Sequence, residues 1–277
     1  MPELPEVQTI TVQLNTELKG LKLKEIICHS AKACIPNAAG IRASIEGLKC
    51  LGVNRVGKMI IVDFGKYLLQ IHLKLTGRLL LLGENDGALR WERARLNFEK
   101  SKSLRFDDMR LFGYLKLIKP KDLVGLKASL GPDALLVPTL PFFRSIKKSR
   151  QAIKKILLNQ KVISGVGNIY ANEALFKARI HPARLGNSIT EKEAEKLLAA
   201  IKQVLKIGIK AGGATLVDEM YRDIYNKKGQ YDKFVLVYDR EGLPCPNRCG
   251  GKVQKIQLGG RGTYFCPNCQ HLEGGWW

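Results

Sequence analysis

No apolar run in this sequence approaches the ~18 residues needed to cross a bilayer, so no membrane span is expected. The opening residues Met1-Pro2-Glu3-Leu4-Pro5-Glu6 are acidic rather than basic and then apolar, so no secretory leader is expected either. Acidic residues are scarce. Only 25 Asp and Glu stand against 46 Lys and Arg, a net charge of +21 over 277 residues. No internal repeat and no low-complexity tail carries that charge, which argues against a ribosomal-type protein. A basic surface on an ordinary folded composition is the electrostatic footprint of a nucleic-acid binder. Cysteines are also few, seven in all. Cys28, Cys34 and Cys50 are scattered and apolar-flanked, and are expected to be reduced.

What is present is enough apolar residue, 45%, for real cores and one large or two modest domains. Val7, Ile10, Leu14 and Leu18 recur at helical spacing over 3–18, and Gly20 can end that helix. Short runs rich in Val, Ile and Leu follow at 23–28, 50–56, 59–64, 67–73, 78–83, 103–107 and 111–118, the pattern of a sandwich or barrel. Gly131-Pro132, Pro138 and Pro141 mark a linker. Beyond it the pattern predicts helices over 142–158, 168–178 and 190–211, a polar loop over 213–230 and a strand over 233–238.

Four constellations carry chemistry. Cys245 and Cys249 form one clip and Cys266 and Cys269 a second, with alternating residues and Gly259-Gly260 between them. Four thiolates in two clips suit one tetrahedral, structural zinc on a ribbon. Arg261, beside the hairpin tip, can meet a phosphate bidentately. At the N-terminus, removal of Met1 would leave Pro2 as a secondary amine of low pKa. Such an amine can attack an electron-poor carbon to form an iminium, with Glu3 and Glu6 beside it as proton-transfer carboxylates. Ser164-Gly165-Val166-Gly167-Asn168 joins two helices and offers backbone N–H groups to a phosphate. His72-Leu73-Lys74-Leu75 and Arg110-Leu111-Phe112 interleave basic and apolar residues, as a protein that wedges into a base stack does.

In this order the motifs resemble the bacterial formamidopyrimidine-DNA glycosylases (8-oxoguanine DNA glycosylase/AP lyases). The likeness runs through Met1-Pro2-Glu3-Leu4-Pro5-Glu6-Val7, His72-Leu73-x-x-x-Gly77, Asp108-x-Arg110-x-Phe112-Gly113, Gly165-Val166-Gly167-Asn168-Ile169-Tyr170-Ala171-x-Glu173, Ile180-His181-Pro182, Val237-Tyr238-x-Arg240-Glu241-Gly242 and Gly260-Arg261-x-Thr263. It implies an α+β fold of two domains. Residues 1–130 would form an N-terminal helix and a two-layered antiparallel β-sandwich, 131–141 a linker, 142–239 a helix–two-turns–helix domain and 240–277 a zinc finger, with DNA in the cleft between the domains. It implies a cytoplasmic, nucleoid-associated bacterial base-excision-repair enzyme, a monomer acting on double-stranded DNA with an oxidised base.

The resemblance also implies roles. The damaged base is flipped out of the duplex. Pro2 attacks the sugar C1′, Glu3 handles proton transfer, and elimination of the 3′ and then the 5′ phosphate follows. Lys58 matches the lysine assigned to β-elimination and Arg261 the finger arginine linked to δ-elimination, with Glu6 and Glu173 as further acidic members of the catalytic set. Leu75, Arg110 and Phe112 fill the hole left by the base. His72, Arg93, Lys148, Arg150, Asn168 and Tyr238 contact DNA. Several positions depart from the family pattern: Leu75 replaces the usual Met, Lys74 stands where Gly is common, Arg93 stands for a His, and Ser149 leaves a phosphate contact to Lys148 or Arg150. The first zinc clip is one residue longer than usual, and the lesion-covering loop 214–232 diverges. Two alternatives stay open: an endonuclease VIII-like glycosylase for oxidised pyrimidines, and a catalytically silent zinc-dependent damaged-DNA binder.

Overall fold

The computed structural model describes residues 1–215 and 221–272. Leu216–Met220, inside the divergent loop, lie outside the described residues. The chain forms two compact units. One is Met1–Ala128 with Gly208–Asp232, and the other is Ser129–Ile207 with the chain from Lys233 onward. The first unit therefore reclaims 208–232, a segment the sequence pattern assigns to the helical domain. The physical reason is burial: Tyr221 and Ile224 fill the core of the first unit, and Leu81 donates to Ile224 O at 2.8 Å.

The first unit opens with α1 (Leu4–Leu18), begun by Pro5 in its first turn. The elements β1 (Leu23–Cys28), β2 (Cys34–Ile35), α2 (Ala38–Ile45), β3 (Gly52–Val56), β4 (Met59–Asp63), β5 (Leu68–His72), β6 (Gly77–Gly83), β7 (Glu92–Phe98), β8 (Lys102–Asp108) and β9 (Tyr114–Ile118) follow. They make two sheets, ordered β1-β7-β8-β6 and β2-β9-β5-β4-β3. Alternate residues point inward, as a half-buried strand requires. Ile60 and Val62, and Leu69 and Ile71, share one core with Leu96, Phe98, Leu104 and Phe106 of the other sheet. The apolar stripe of α1 (Val7, Ile10, Leu14, Leu18) joins that core, and Asn15 Oδ1 accepts the Val53 N–H at 2.9 Å. One pairing is parallel, β2 with β9, so the sandwich is not wholly antiparallel.

Four elements here escape the sequence pattern, the two-residue β2 among them. The charges of β7 mask its alternation because Glu92 is buried in an ionic network, 3.0 Å from Arg105 Nη1 and 2.8 Å from Arg95 Nε. α2 is short and capped by Asn37, whose side chain accepts the Gly40 N–H. α3 (Pro120–Ala128) buries none of its residues fully, and its Leu123 and Leu126 pack on Ile61, Leu68 and Ile118, on the other face of the five-stranded sheet. Cys28 and Cys34 form a disulfide, with Cα atoms 6.5 Å apart. This corrects the expectation of reduced thiols, since β1 and β2 bring the pair within bridging reach.

In the second unit the single helix expected over 142–158 is two, α4 (Thr139–Lys147) and α5 (Ile153–Leu158). The break is held by a neighbouring segment: Ile153 donates to Arg184 O at 2.7 Å and Gly186 to Gln151 O at 2.9 Å. α6 (Asn168–Ala178) and α7 (Glu191–Lys210) fall where the pattern predicts, though α7 ends inside the first unit. No strand forms over 233–238. A 3-10 turn occupies Tyr231–Phe234, and the N–H groups of Leu236, Val237 and Tyr238 all go to Glu173 rather than to a neighbouring strand. β10 (Gln254–Leu258) and β11 (Arg261–Phe265) form the expected hairpin.

Candidate active site and nucleic-acid interface

In the first unit Met1 is exposed while Pro2 and Glu3 are buried at the start of α1. Glu3 takes extended backbone before the first turn, so its carboxylate lies at the positive end of the helix dipole. Its N–H donates to Glu6 Oε2 at 2.7 Å. Glu6 Oε1 accepts the Ala214 N–H at 2.8 Å. Glu6 therefore braces the N-terminus against the 208–232 segment. Gly213, at φ +91°, is needed for this approach, because a Cβ there would sit 2.9 Å from Glu6 Cγ.

Lys58 is buried and follows Gly57 in the two-residue turn between β3 and β4. Arg55 ties that turn to α1, with Nε donating to Gln8 Oε1 at 2.9 Å and Nη1 to Gly57 O at 2.7 Å. His72 ends β5 opposite Tyr114. Burial first, then the charges of Lys74 and Lys58, push its imidazole down to about 4. The ring is neutral at neutral pH. Its Nδ1 accepts the Lys74 N–H at 3.1 Å, which leaves the proton on Nε2 as a donor.

Two turns meet at Asp108, which is fully buried. Thr76 Oγ1 donates to Asp108 Oδ1. The carboxylate also accepts Arg110 N–H at 3.2 Å and Gly113 N–H at 2.7 Å. Leu75 rides on the first turn, Arg110 and Phe112 on the second. Phe112 is 51% exposed, with the Arg110 guanidinium carbon 4.8 Å from its ring centroid. An exposed apolar group beside a cation has the chemistry of a base-stack wedge. Arg93 Nε donates to Asp108 O at 2.8 Å, so it also supports the second turn.

In the second unit Glu173 is fully buried and accepts Leu236 N–H at 2.7 Å, Val237 N–H at 3.0 Å and Tyr238 N–H at 2.9 Å. Burial raises its carboxyl, against those three donors. Glu173 thus anchors the chain that leads to the zinc clips. Tyr238 stacks at 5.1 Å on Tyr264. Lys148 and Arg150 are exposed just past α4.

Arg261 is exposed beside Gly259 and Gly260, both at positive φ, as a two-residue hairpin turn requires. The hairpin is fixed from behind by residues the sequence does not flag. Lys154, fully buried, donates to Gly262 O at 2.8 Å and Thr263 Oγ1 at 2.7 Å. Asn168 Nδ2 also reaches Gly262 O, at 3.3 Å. Asn172 Oδ1 accepts the Tyr264 N–H at 2.9 Å. Asn168 thus supports the Arg261 hairpin, and its Oδ1 is buried without a hydrogen-bond partner.

The four zinc-ligand candidates converge, with their Sγ atoms all within 4.8 Å of one another. Cys245 and Cys269 Sγ are 3.7 Å apart, Cys249 and Cys266 3.5 Å. A tetrahedron of Zn–S bonds of about 2.3 Å has edges of about 3.8 Å, so the thiols fit one zinc ion. The longer first clip is accommodated by Arg248, which adopts the left-handed conformation at φ +53°.

Comparison with known proteins joins these pieces. The formamidopyrimidine-DNA glycosylase N-terminal domain matches residues 1–115, the H2TH domain of the same glycosylases residues 130–219, and the zinc finger found in FPG and IleRS residues 242–272. The formamidopyrimidine-DNA glycosylase of Pelotomaculum thermopropionicum is 39% identical across 99% of this chain and all of that relative.

The chain belongs to the formamidopyrimidine-DNA glycosylase family.

The Thermus thermophilus formamidopyrimidine-DNA glycosylase is 40% identical, with 98% of each chain covered. A Lactococcus lactis FPG mutant complexed with a Fapy-dG-containing DNA superposes with a TM-score of 0.91 at 30% identity, covering 98% of this chain and all of that one. The Lactococcus lactis enzyme complexed with abasic-site DNA is equally similar, with a TM-score of 0.91 at 30% identity and the same coverage. The glycosylase fold expected from the motifs is therefore present throughout. No helix among the described residues is long and apolar enough to cross a membrane.

Proposed function

We propose that this chain excises oxidised purines, 8-oxoguanine and formamidopyrimidines, from duplex DNA and then cleaves the strand as an AP lyase. The observation that carries the reading is the buried Pro2-Glu3 start of α1, in a chain whose relatives are glycosylases along their full length.

Removal of Met1 frees the Pro2 nitrogen as a secondary amine. The nitrogen forms a bond to C1′ of the flipped nucleotide while the C1′–base bond breaks, and the departing base takes a proton. Glu3 is the proton carrier for base loss and for opening of the sugar ring. The iminium that follows acidifies the C2′ proton. Its removal expels the 3′ phosphate, and a second elimination expels the 5′ phosphate. Lys58, buried in the turn braced by Arg55, serves the first elimination. Arg261 meets the phosphates at the lesion, held in register by Lys154. His72 donates from Nε2 to a backbone phosphate, and Lys148, Arg150, Asn168 and Tyr238 add contacts from the second unit. Leu75, Arg110 and Phe112 occupy the gap in the stack, with Arg110 facing the orphaned cytosine. One zinc ion held by Cys245, Cys249, Cys266 and Cys269 would supply structure to the hairpin and no reactive position, because four thiolates complete its coordination. The enzyme acts as a monomer on the bacterial nucleoid.

Borohydride trapping on a duplex with 8-oxoguanine opposite cytosine, beside one with dihydrouracil, tests the reading. A covalent adduct mapping to Pro2 on the first duplex is expected, and Pro2→Gly should abolish it while DNA binding persists. An adduct only on dihydrouracil would move the chain to the endonuclease VIII-like branch. No adduct on either duplex would leave a silent binder.

A further inference from the structure

Lys74 holds the left-handed conformation, φ +52°, which glycine adopts without strain and a side-chain-bearing residue does not. Strain of this kind is a pointer to function when the side chain has somewhere to act. Here it does. The Lys74 Nζ lies 5.8 Å from the Tyr114 ring centroid. The His72 ring stands on the same tyrosine, its centroid 5.8 Å away. Tyr114 Oη accepts from Gln70 Nε2 at 3.1 Å, which leaves its own proton to donate. Its phenol is held above the ordinary range by burial, so that proton stays on. His72 carries its proton on Nε2, because Nδ1 accepts the Lys74 N–H. The Lys74 ammonium and the His72 ring thus both lie within 5.8 Å of the Tyr114 ring centroid. Among the described residues no carboxylate pairs with Lys74, whose partners are the His72 and Tyr114 rings.

We propose that Lys74 joins the His72 Nε2–H on the backbone phosphate of duplex DNA assigned above to His72, beside the Leu75 wedge. The occupant is a phosphodiester because the spot offers a neutral N–H donor and the positive charge of Lys74, with that of Lys58 also bearing on His72. The proposal deepens the functional reading, on which it rests, by assigning a DNA contact to a position where the family pattern has glycine.

The test measures binding of the zinc-loaded full chain to two duplexes, one carrying a tetrahydrofuran abasic analogue and one undamaged, as salt is raised. Lys74→Gly should bind both duplexes about fivefold more weakly at low salt, since a phosphate contact carries no base information. Its salt slope should fall by about 0.9, the value for one phosphate. Its melting temperature should hold or rise, because glycine relieves the left-handed residue. Lys74→Gln should show the same loss of slope without that gain. Wild-type affinity and slope in Lys74→Gly would overturn the proposal. A lowered melting temperature with an unchanged slope would overturn it too, by making Lys74 a structural residue. Failure of the wild-type protein to prefer the abasic duplex would instead sink the functional reading, whatever Lys74 does.

Discussion

The two turns at Asp108 and the Arg261 hairpin do the same job by different means. Each holds an exposed arginine on a short, glycine-bearing turn. In the first unit the turn is ordered from within: the buried Asp108 carboxylate gathers Thr76, Arg110 and Gly113, and Arg93 props it from below. In the second unit the turn is ordered from outside itself. Two cysteine clips close its base, and Lys154, Asn168 and Asn172 pin its strands to the helices. A sandwich layer gives its turns a core to lean on. A five-residue-strand hairpin has too little core of its own, so a metal and a buried cation substitute for it.

That contrast can be broken from either side. The largest effect is expected from the metal. Chelation, or Cys266→Ser, should unfold the hairpin and reduce DNA affinity by about 100-fold or more, because structural zinc supplies the folding free energy of such ribbons. Calorimetry should show the sandwich transition unmoved; a shift of that transition, or unaltered DNA affinity, would refute the division of labour. Next comes Asp108→Ala, which leaves the Arg110 and Gly113 N–H groups without their acceptor. A loss of about 2–4 kcal/mol is expected by denaturant titration, with weaker binding to an abasic duplex and zinc content unchanged.

A smaller effect concerns pH. The folded His72 imidazole titrates near 4, below its unfolded value of about 6.5. The unfolded chain therefore binds more protons between those values, so stability falls as pH drops from about 6.5 toward 4. His72→Gln should flatten that part of the stability curve, and an identical curve in the variant would count against a neutral, half-buried imidazole. The smallest effect is expected from Arg93→Gln. It removes a prop from Asp108 O and should cost about 1 kcal/mol, with a salt slope close to wild type. A slope reduced by about one would make Arg93 a phosphate contact as well as a prop.

Legibility differed along the same line. Zinc ligation was readable because it is set by local spacing, two Cys clips that the fold brings together. The long helices and most strands were readable from periodicity. β7 was not, because its alternation is overlaid by Glu92 and Arg95, whose charges are paired rather than solvated. The strand expected over 233–238 failed because a run of apolar residues becomes a strand only beside a partner, and here one glutamate takes its N–H groups. Glu6 and Glu173 read as chemistry in the sequence, and the fold adds that each gathers backbone N–H groups from distant segments. Carboxylates suit both tasks, and sequence alone gives no sign of the bracing one.

By itself the sequence determined what short-range spacing and chemistry determine: a four-thiolate zinc site, a basic surface, and an order of motifs specific to one family. The tertiary structure alone decided which polar groups are buried, and with whom. It returned 208–232 to the first unit, joined Cys28 to Cys34, placed Lys154 behind Arg261 and left Lys74 strained on Tyr114. These are long-range pairings. A residue's type fixes which bonds it can make, but its partner is fixed only when the whole chain has chosen which surfaces to hide from water.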